Sequence, residues 1–257
     1  MSVINSFFSA FLMYSRIPVP QIEWKEENRR YALCFFPLIG AVCGAVVVGW
    51  YYFCGLLNIG NILFSVGCTA IPAIVTGGIH LDGFCDVCDA KASCGDSKKH
   101  LEIMRDPHIG AFAAVKLILL LIVQTALFSE LRSSELIIIC GCGMVFSRAL
   151  SGFAAASFRN AKNGGLLFSF TKPAHKRATL ISCLIFIFLS ISAMILLSPV
   201  PGSAAVITGL LSFVYYRVYS YRHYGGITGD LAGYFLQICE LSVIFGTVLG
   251  SRIAEVF

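Results

Sequence analysis

Charge is scarce in this chain. Lys, Arg, Asp and Glu make up 13% of its 257 residues, hydrophobic residues make up 57%, and the mean hydropathy is +0.81. A soluble domain of this length carries a far more polar surface, so that class is excluded. Short segments of alternating polarity are missing as well, which excludes a transmembrane β-barrel. The start of the chain, Met1 to Tyr14, lacks a basic opening followed by a small-residue cleavage site, so no signal peptide is expected. No lysine-bearing phosphate loop and no Ser/His/Asp motif is present, which removes the usual equipment of ATP hydrolysis and acyl transfer. Internal repeats, low-complexity tracts and interdomain linkers are absent too. Cysteine is plentiful at 11 residues, but these are scattered, mostly inside apolar runs where cysteine acts as a small hydrophobe. No secreted disulfide framework is predicted.

What is present is apolar sequence in runs long enough to cross lipid. The expected fold is all-α, a polytopic transmembrane helical bundle forming a single domain over residues 1–257. About seven spans are predicted, at about 31–57, 61–79, 110–129, 136–158, 179–198, 203–221 and 231–250. Ahead of them, residues 1–20 read as an interfacial or re-entrant helix stopped by Pro18 and Pro20. The net charge of +5 is no nucleic-acid signal, because the placement of the basic residues decides more than their sum. With the N-terminus inside and the C-terminus outside, 15 of the 19 Lys and Arg fall on the cytoplasmic side. Only Arg132 and Arg252 fall outside, and Lys116 and Arg148 lie within spans. The loops at about 80–109, 159–178 and 221–230 then share the cytoplasmic face.

The first of these loops opens with Gly77-Gly78-Ile79-His80-Leu81-Asp82-Gly83-Phe84-Cys85-Asp86-Val87-Cys88-Asp89-Ala90, directly after an apolar run. Asp82, Asp86 and Asp89 stand at i, i+4 and i+7, so a helix here projects all three carboxylates from one face. Three solvated surface aspartates would be the ordinary reading in a soluble protein. Beside a membrane span, unpaired carboxylates are costly, and a shared Mg²⁺ or Mn²⁺ relieves their repulsion. Gly83 leaves room for a phosphate or for another backbone. His80 reads as a ligand, a general base, a substrate contact or a plain interfacial histidine. Cys85 and Cys88 form a C-x-x-C, but the helix that aligns the carboxylates turns both sulfurs away, and no second C-x-x-C exists to complete a zinc site.

Two further segments carry chemistry. In Met104-Arg105-Asp106-Pro107-His108-Ile109-Gly110, the Asp-Pro step ends one helix and Gly110 opens the next span. Arg105 could hold a phosphate there, or the segment is simply a turn at the membrane surface. Gly225-Gly226-Ile227-Thr228-Gly229-Asp230 puts glycines, a hydroxyl and an acid at a helix start, which suits a phosphate cradled on backbone N–H groups. Asp230 is equally an N-cap. In the basic second loop Asn163-Gly164-Gly165 reads as a turn, and Arg159, Lys162, Lys172 and Lys176 would attract polyphosphate or anionic lipid. Taken together, a carboxylate-held metal, a glycine-rich loop and basic residues on one membrane face are the equipment of phosphoryl or phosphodiester transfer.

These same residues resemble the cobalamin synthase family, adenosylcobinamide-GDP ribazoletransferase. The likeness rests on the segments 77–90, 104–110 and 225–230, with Arg16-Ile17-Pro18-Val19-Pro20 and Phe35-Phe36-Pro37-Leu38-Ile39-Gly40 similar to the family's N-terminal region. It spans nearly the whole chain. Positions 85 and 88, cysteines here, look like small residues such as Ala or Thr in the family. The resemblance implies the joining of adenosylcobinamide-GDP with α-ribazole or its 5′-phosphate, with release of GMP, in the cytoplasmic membrane of a prokaryote. It implies Mg²⁺ as cofactor, and the chemistry of the acidic face assigns Asp82, Asp86 and Asp89 to that ion, with Asp230 completing the metal shell or serving as base. His80 and Asp230 are the expected proton-transfer groups. Arg105, Asp106, Gly83, Gly226, Thr228 and Gly229 are the expected substrate contacts. The expected partners are the two small-molecule substrates and membrane lipid, with no nucleic acid. Whether the chain forms a homo-oligomer or associates with other enzymes of the cobalamin pathway is left open. The alternative readings are a CDP-alcohol phosphotransferase-like lipid enzyme, whose usual signature D-G-x-x-A-R followed by G-x-x-x-D-x-x-x-D this chain departs from after Asp82-Gly83, and a cation or metabolite transporter. A transporter would place its acids near the bilayer midplane within broken spans.

Overall fold

The computed structural model describes residues 2–104, 106–161 and 164–256. Helices follow the apolar runs closely. The first, α1 (Ser2–Tyr14), is too short to span. It ends before Pro18, where the Ser15 hydroxyl and N–H both donate to the Phe11 carbonyl, at 2.8 and 3.0 Å. An extended stretch and the single turn α2 (Glu26–Arg29) lead into α3 (Ala32–Leu56). Then come α4 (Asn61–Thr76), α5 (Ile79–Ala92) and the short α6 (Ser97–Ile103). The long α7 (Ala111–Ser129) and α8 (Ser134–Ser157) are followed by the short α9 (Gly165–Thr171), and α10 (Lys176–Leu197), α11 (Pro199–Tyr224) and α12 (Gly229–Val256) complete the chain. The one strand-like feature among the described residues is an isolated parallel bridge between Asn160 and Ile227.

Six helices, α3, α7, α8, α10, α11 and α12, are long and apolar enough to cross a membrane, so the chain is a multi-pass membrane protein. The predicted span at 61–79 departs from the others. The helix there stops at Thr76, and α4 is long enough to count as a span only together with α5, to which it is bent by 96°. At 16 residues, α4 is roughly 24 Å long, short of a hydrocarbon core of about 30 Å. In place of a seventh continuous span the chain therefore has a sharply bent pair of helices.

Burial ranks the helices. In α8, 78% of the apolar window is buried, whereas α10 and α7 bury only 17% and 22% of theirs. The centre of the bundle is therefore α8, packed on α3, α10 and α12, while α7 and α10 present most of their apolar surface outward. Small residues let the central helices approach. A Cβ on Gly44 of α3 would collide with the backbone of Gly141 in α8.

A charge pair sits inside this apolar core. Arg148 of α8 is 1% exposed and Glu240 of α12 is 5% exposed. Arg148 Nη1 donates to Glu240 Oε1 at 2.5 Å and to the Met144 carbonyl at 2.9 Å. The Ser147 hydroxyl donates to the same carboxylate oxygen, at 3.3 Å. Removing one member of such a pair strands the other charge at a cost of about 3–5 kcal/mol, whereas replacing both with apolar residues is often nearly neutral. Glu240→Leu should therefore lower the thermal midpoint in detergent sharply, and the double change Arg148→Met/Glu240→Leu should recover most of the loss. A double variant that melts no higher than the single one would show that the pair does not act as a unit.

Candidate active site

The break between α4 and α5 is made by two adjacent glycines. Gly77 and Gly78 have φ of +65° and +77°, a left-handed conformation that residues with a Cβ adopt at a cost. Their N–H groups close α4 by donating to the carbonyls of Ile74 and Ala73, at 3.3 and 2.9 Å. Arg16 braces the corner: its N–H donates to the Val75 carbonyl at 2.8 Å, and its side chain lies where a Cβ on Gly77 would be. Beyond the corner, the helix bearing the aspartates runs sharply off the line of α4.

There α5 lies against α12 at backbone distance. A Cβ on Gly83 would sit 2.9 Å from the Asp230 carbonyl oxygen, and one on Gly233 would sit 3.2 Å from that of His80. The room left by Gly83 is thus taken by the backbone of α12. At the next position of each helix, Phe84 and Tyr234 stack with centroids 5.5 Å apart. At the end of α5, Lys91 Nζ donates to the hydroxyls of Tyr215 and Tyr234, at 2.7 and 2.9 Å, and lies 4.3 Å from the ring centroid of Tyr219. A cation in the last turn suits the helix dipole, and the aromatic faces of α11 and α12 add cation–π attraction. Lys91 carries no motif that could have marked it, because its cage comes from distant helices.

A cavity of about 280 Å³ opens at this contact. From α5 it is lined by His80, Asp82 and Gly83, and from the start of α12 by Thr228, Gly229 and Asp230. Six of the residues singled out in the sequence, from opposite ends of the chain, therefore meet in one place. Asp82 is exposed and Asp230 half-buried, whereas His80 is 5% exposed with its ring edge-on to Phe36. The remaining walls come from Tyr14, Leu33 and Phe36, from Ser151 and Ala155 of α8, and from Asn160 with Leu167 and Phe168 of α9. Of these, only Phe36 belongs to a segment singled out in the sequence.

Each part of the glycine-rich loop has a local task. Gly225, with φ of +68°, terminates α11. Gly226 is pressed against the backbone of Arg159 to Ala161, where a Cβ would collide, and it does not line the cavity. The Ile227 N–H donates to the Arg159 carbonyl at 2.8 Å, and the Ala161 N–H donates to the Ile227 carbonyl at 2.9 Å. This bridge brings the second loop to the cavity. The cap of α12 is Thr228, whose Oγ1 accepts the Leu231 N–H at 3.1 Å; Asp230 sits in the first turn instead.

The other predicted site residues lie apart from the cavity lining. Asp86 is half-buried one turn along α5. Both oxygens of Asp89 are engaged by the start of α7: Oδ2 accepts the Gly110 N–H at 2.6 Å and Oδ1 the Ala113 N–H at 2.9 Å. That is an N-cap supplied from another helix. Asp106 lies in an exposed turn, where the His108 N–H and ring nitrogen approach its Oδ1 at 3.0 and 2.7 Å. Those two hydrogen bonds hold its carboxyl below the usual carboxylate range. Arg105, Lys162 and Asn163 lie outside the described residues. Cys85 and Cys88 are buried. Among the described residues, no group of three or more His, Cys, Asp or Glu is arranged to hold a metal ion.

Comparison with known proteins covers almost the full length. An adenosylcobinamide-GDP ribazoletransferase of Lachnoclostridium phytofermentans is 43% identical over 98% of this chain and 97% of its own. Proteins of the same name from Treponema denticola and Clostridium perfringens are 31% and 30% identical, covering 94% and 90% of this chain and 96% and 92% of their own. No solved structure matches the chain. The sequence model of one family, cobalamin-5-phosphate synthase, matches residues 6–248. With that match the assignment is settled at the level of family: the chain belongs to the cobalamin-5-phosphate synthases.

Proposed function

We propose that this chain joins adenosylcobinamide-GDP to α-ribazole, or to its 5′-phosphate, at the cavity between α5 and α12. The observation that carries this reading is the meeting of Asp82, His80 and Asp230 on one cavity at the start of α12, in a chain whose relatives bear the name of that transfer. A ribose hydroxyl of ribazole attacks the phosphorus on the cobinamide side of the diphosphate. A new oxygen–phosphorus bond forms, the bond from that phosphorus to the bridging oxygen breaks, and GMP leaves with the electron pair. Asp82 or Asp230 takes the proton of the hydroxyl, and the positive end of α12 favours the phosphate charge. Positioning of the two reactants supplies much of the rest of the acceleration.

The donor set fits magnesium. Mg²⁺ is characteristically held by one or two carboxylates together with substrate phosphates and water. Asp82 and Asp230 are two carboxylates on one cavity, with Asp86 a turn away, so the ion would be shared with the diphosphate. When bound, it neutralises phosphate oxygens and polarises the attacking hydroxyl. Asp89 stands aside from this role, because it caps α7. The location we propose is the cytoplasmic membrane of a prokaryote, with the site on the cytoplasmic face. The bias of 15 among 19 basic residues toward that side supports it.

Purified protein in liposomes, given adenosylcobinamide-GDP, α-ribazole and Mg²⁺, should form cobalamin and GMP together, and chelator should abolish both. If neither product formed, CDP-activated alcohols would be the next substrates to test. Asp82→Asn should lower kcat by about 10²-fold or more while leaving the thermal midpoint near that of the wild type. Asp89→Asn should do the reverse, lowering the midpoint while the Mg²⁺ concentration for half-maximal rate stays unchanged. A large rise in that Mg²⁺ requirement would return Asp89 to the metal site.

A further inference from the structure

The corner cavity is graded from wet to dry. At its mouth Asp82 is exposed and Asp230 half-buried. Deeper, Leu33 is 2% exposed, Phe36 and Met104 are 4%, and Leu236 is 1%. Two polar atoms of the wall, His80 Nε2 and Asn160 Oδ1, are buried and have no hydrogen-bond partner among the described residues. Asn160 spends its other polar atom on Thr171, donating from Nδ2 at 3.0 Å. A ligand suited to this space has a flat apolar body, very few hydrogen-bonding groups on that body, and its polar end at the mouth.

Size and polarity choose between the two substrates of the proposed reaction, on which this inference rests. At about 280 Å³ the cavity falls just under the usual range for pockets that bury a drug-sized ligand, ~300–1,000 Å³. One nucleoside fills it, and a corrin macrocycle with its side chains does not. Guanine carries donors and acceptors around its whole edge, and most would be buried here unpaired. The base of ribazole is a planar, largely apolar bicycle with one free ring nitrogen. We infer that the cavity is the ribazole subsite, entered base first. The base packs among Tyr14, Phe36, Met104 and Phe168, and the unpaired polar atoms of His80 and Asn160 serve its ring nitrogen and a sugar hydroxyl. The ribose then faces Asp82 and Asp230, where the attacking hydroxyl is needed. The corrinoid and its guanosine diphosphate remain outside, presenting only the reacting phosphorus to the mouth.

Filling the cavity from walls that carry no chemistry tests this. Ala155→Leu intrudes from α8, and Leu167→Phe intrudes independently from α9. Each should raise the KM for α-ribazole roughly tenfold to a hundredfold, the usual effect of misfitting an apolar pocket by a methylene or more. The KM for adenosylcobinamide-GDP should stay within about twofold in both. Titration calorimetry with α-ribazole alone, without the second substrate or metal, should show binding to the wild type that both variants weaken by the same factor. A rise confined to the KM for adenosylcobinamide-GDP, or ribazole binding unaffected by either change, would overturn the inference. Wild-type protein that forms no cobalamin yet binds ribazole, with the binding weakened by these variants, would overturn the proposed reaction and leave the subsite standing.

Discussion

Carboxylates cannot be carried through hydrocarbon without a partner, and this chain places three of them one helical turn after a membrane-embedded segment. The conflict is resolved by geometry more than by charge. Two left-handed glycines turn the helix through 96° before the first aspartate is reached, so α5 leaves the line of α4 and packs on α12 and α7. Everything at the site follows from that turn. It sets α5 against the first turns of α12, where Gly83 and Gly233 let the backbones touch. The contact in turn brings an acid from each helix to a common cavity.

The scaffold beneath is held by a second polar device. Arg148 and Glu240 pair between α8 and α12, and residues one and two turns beyond Arg148 on α8 form a wall of the cavity. A pair of this kind adds little net stability, but a slip by one residue would leave two buried charges unpaired. The apolar faces around it offer no such discrimination. Leucine and valine pack almost as well one position along, and an ion pair does not.

Much of this was legible beforehand, for identifiable reasons. The apolar runs marked the spans because lipid requires a minimum length of apolar helix, and the i, i+4, i+7 aspartates marked the acidic face because helical spacing is local. The break at Thr76 escaped because Gly77-Gly78 looks like an ordinary span end unless the next helix is known to turn aside. Asp89 escaped for a similar reason. Its spacing on α5 matches that of the other aspartates, and only the approach of α7 shows that its two oxygens accept N–H groups from the start of that helix. In 225–230 the glycines suggested a phosphate cradle. Gly226 is instead a contact for the backbone of 159–161, which no local pattern announces. Arg148 was visible as a charge within a span, but its role depends on Glu240, which lies nearly a hundred residues later.

The cap that Asp89 places on α7 joins the site to the bilayer. At 19 residues, α7 is roughly 28 Å long, close to the thickness of the hydrocarbon layer, and it exposes most of its surface. A helix so placed answers a thinner membrane by tilting. Its first turn is fastened to the helix that carries Asp82, through two short hydrogen bonds to one carboxylate. The cap thereby ties the outward-facing α7 to the helix that lines the cavity, so neither can shift at that end without breaking those hydrogen bonds.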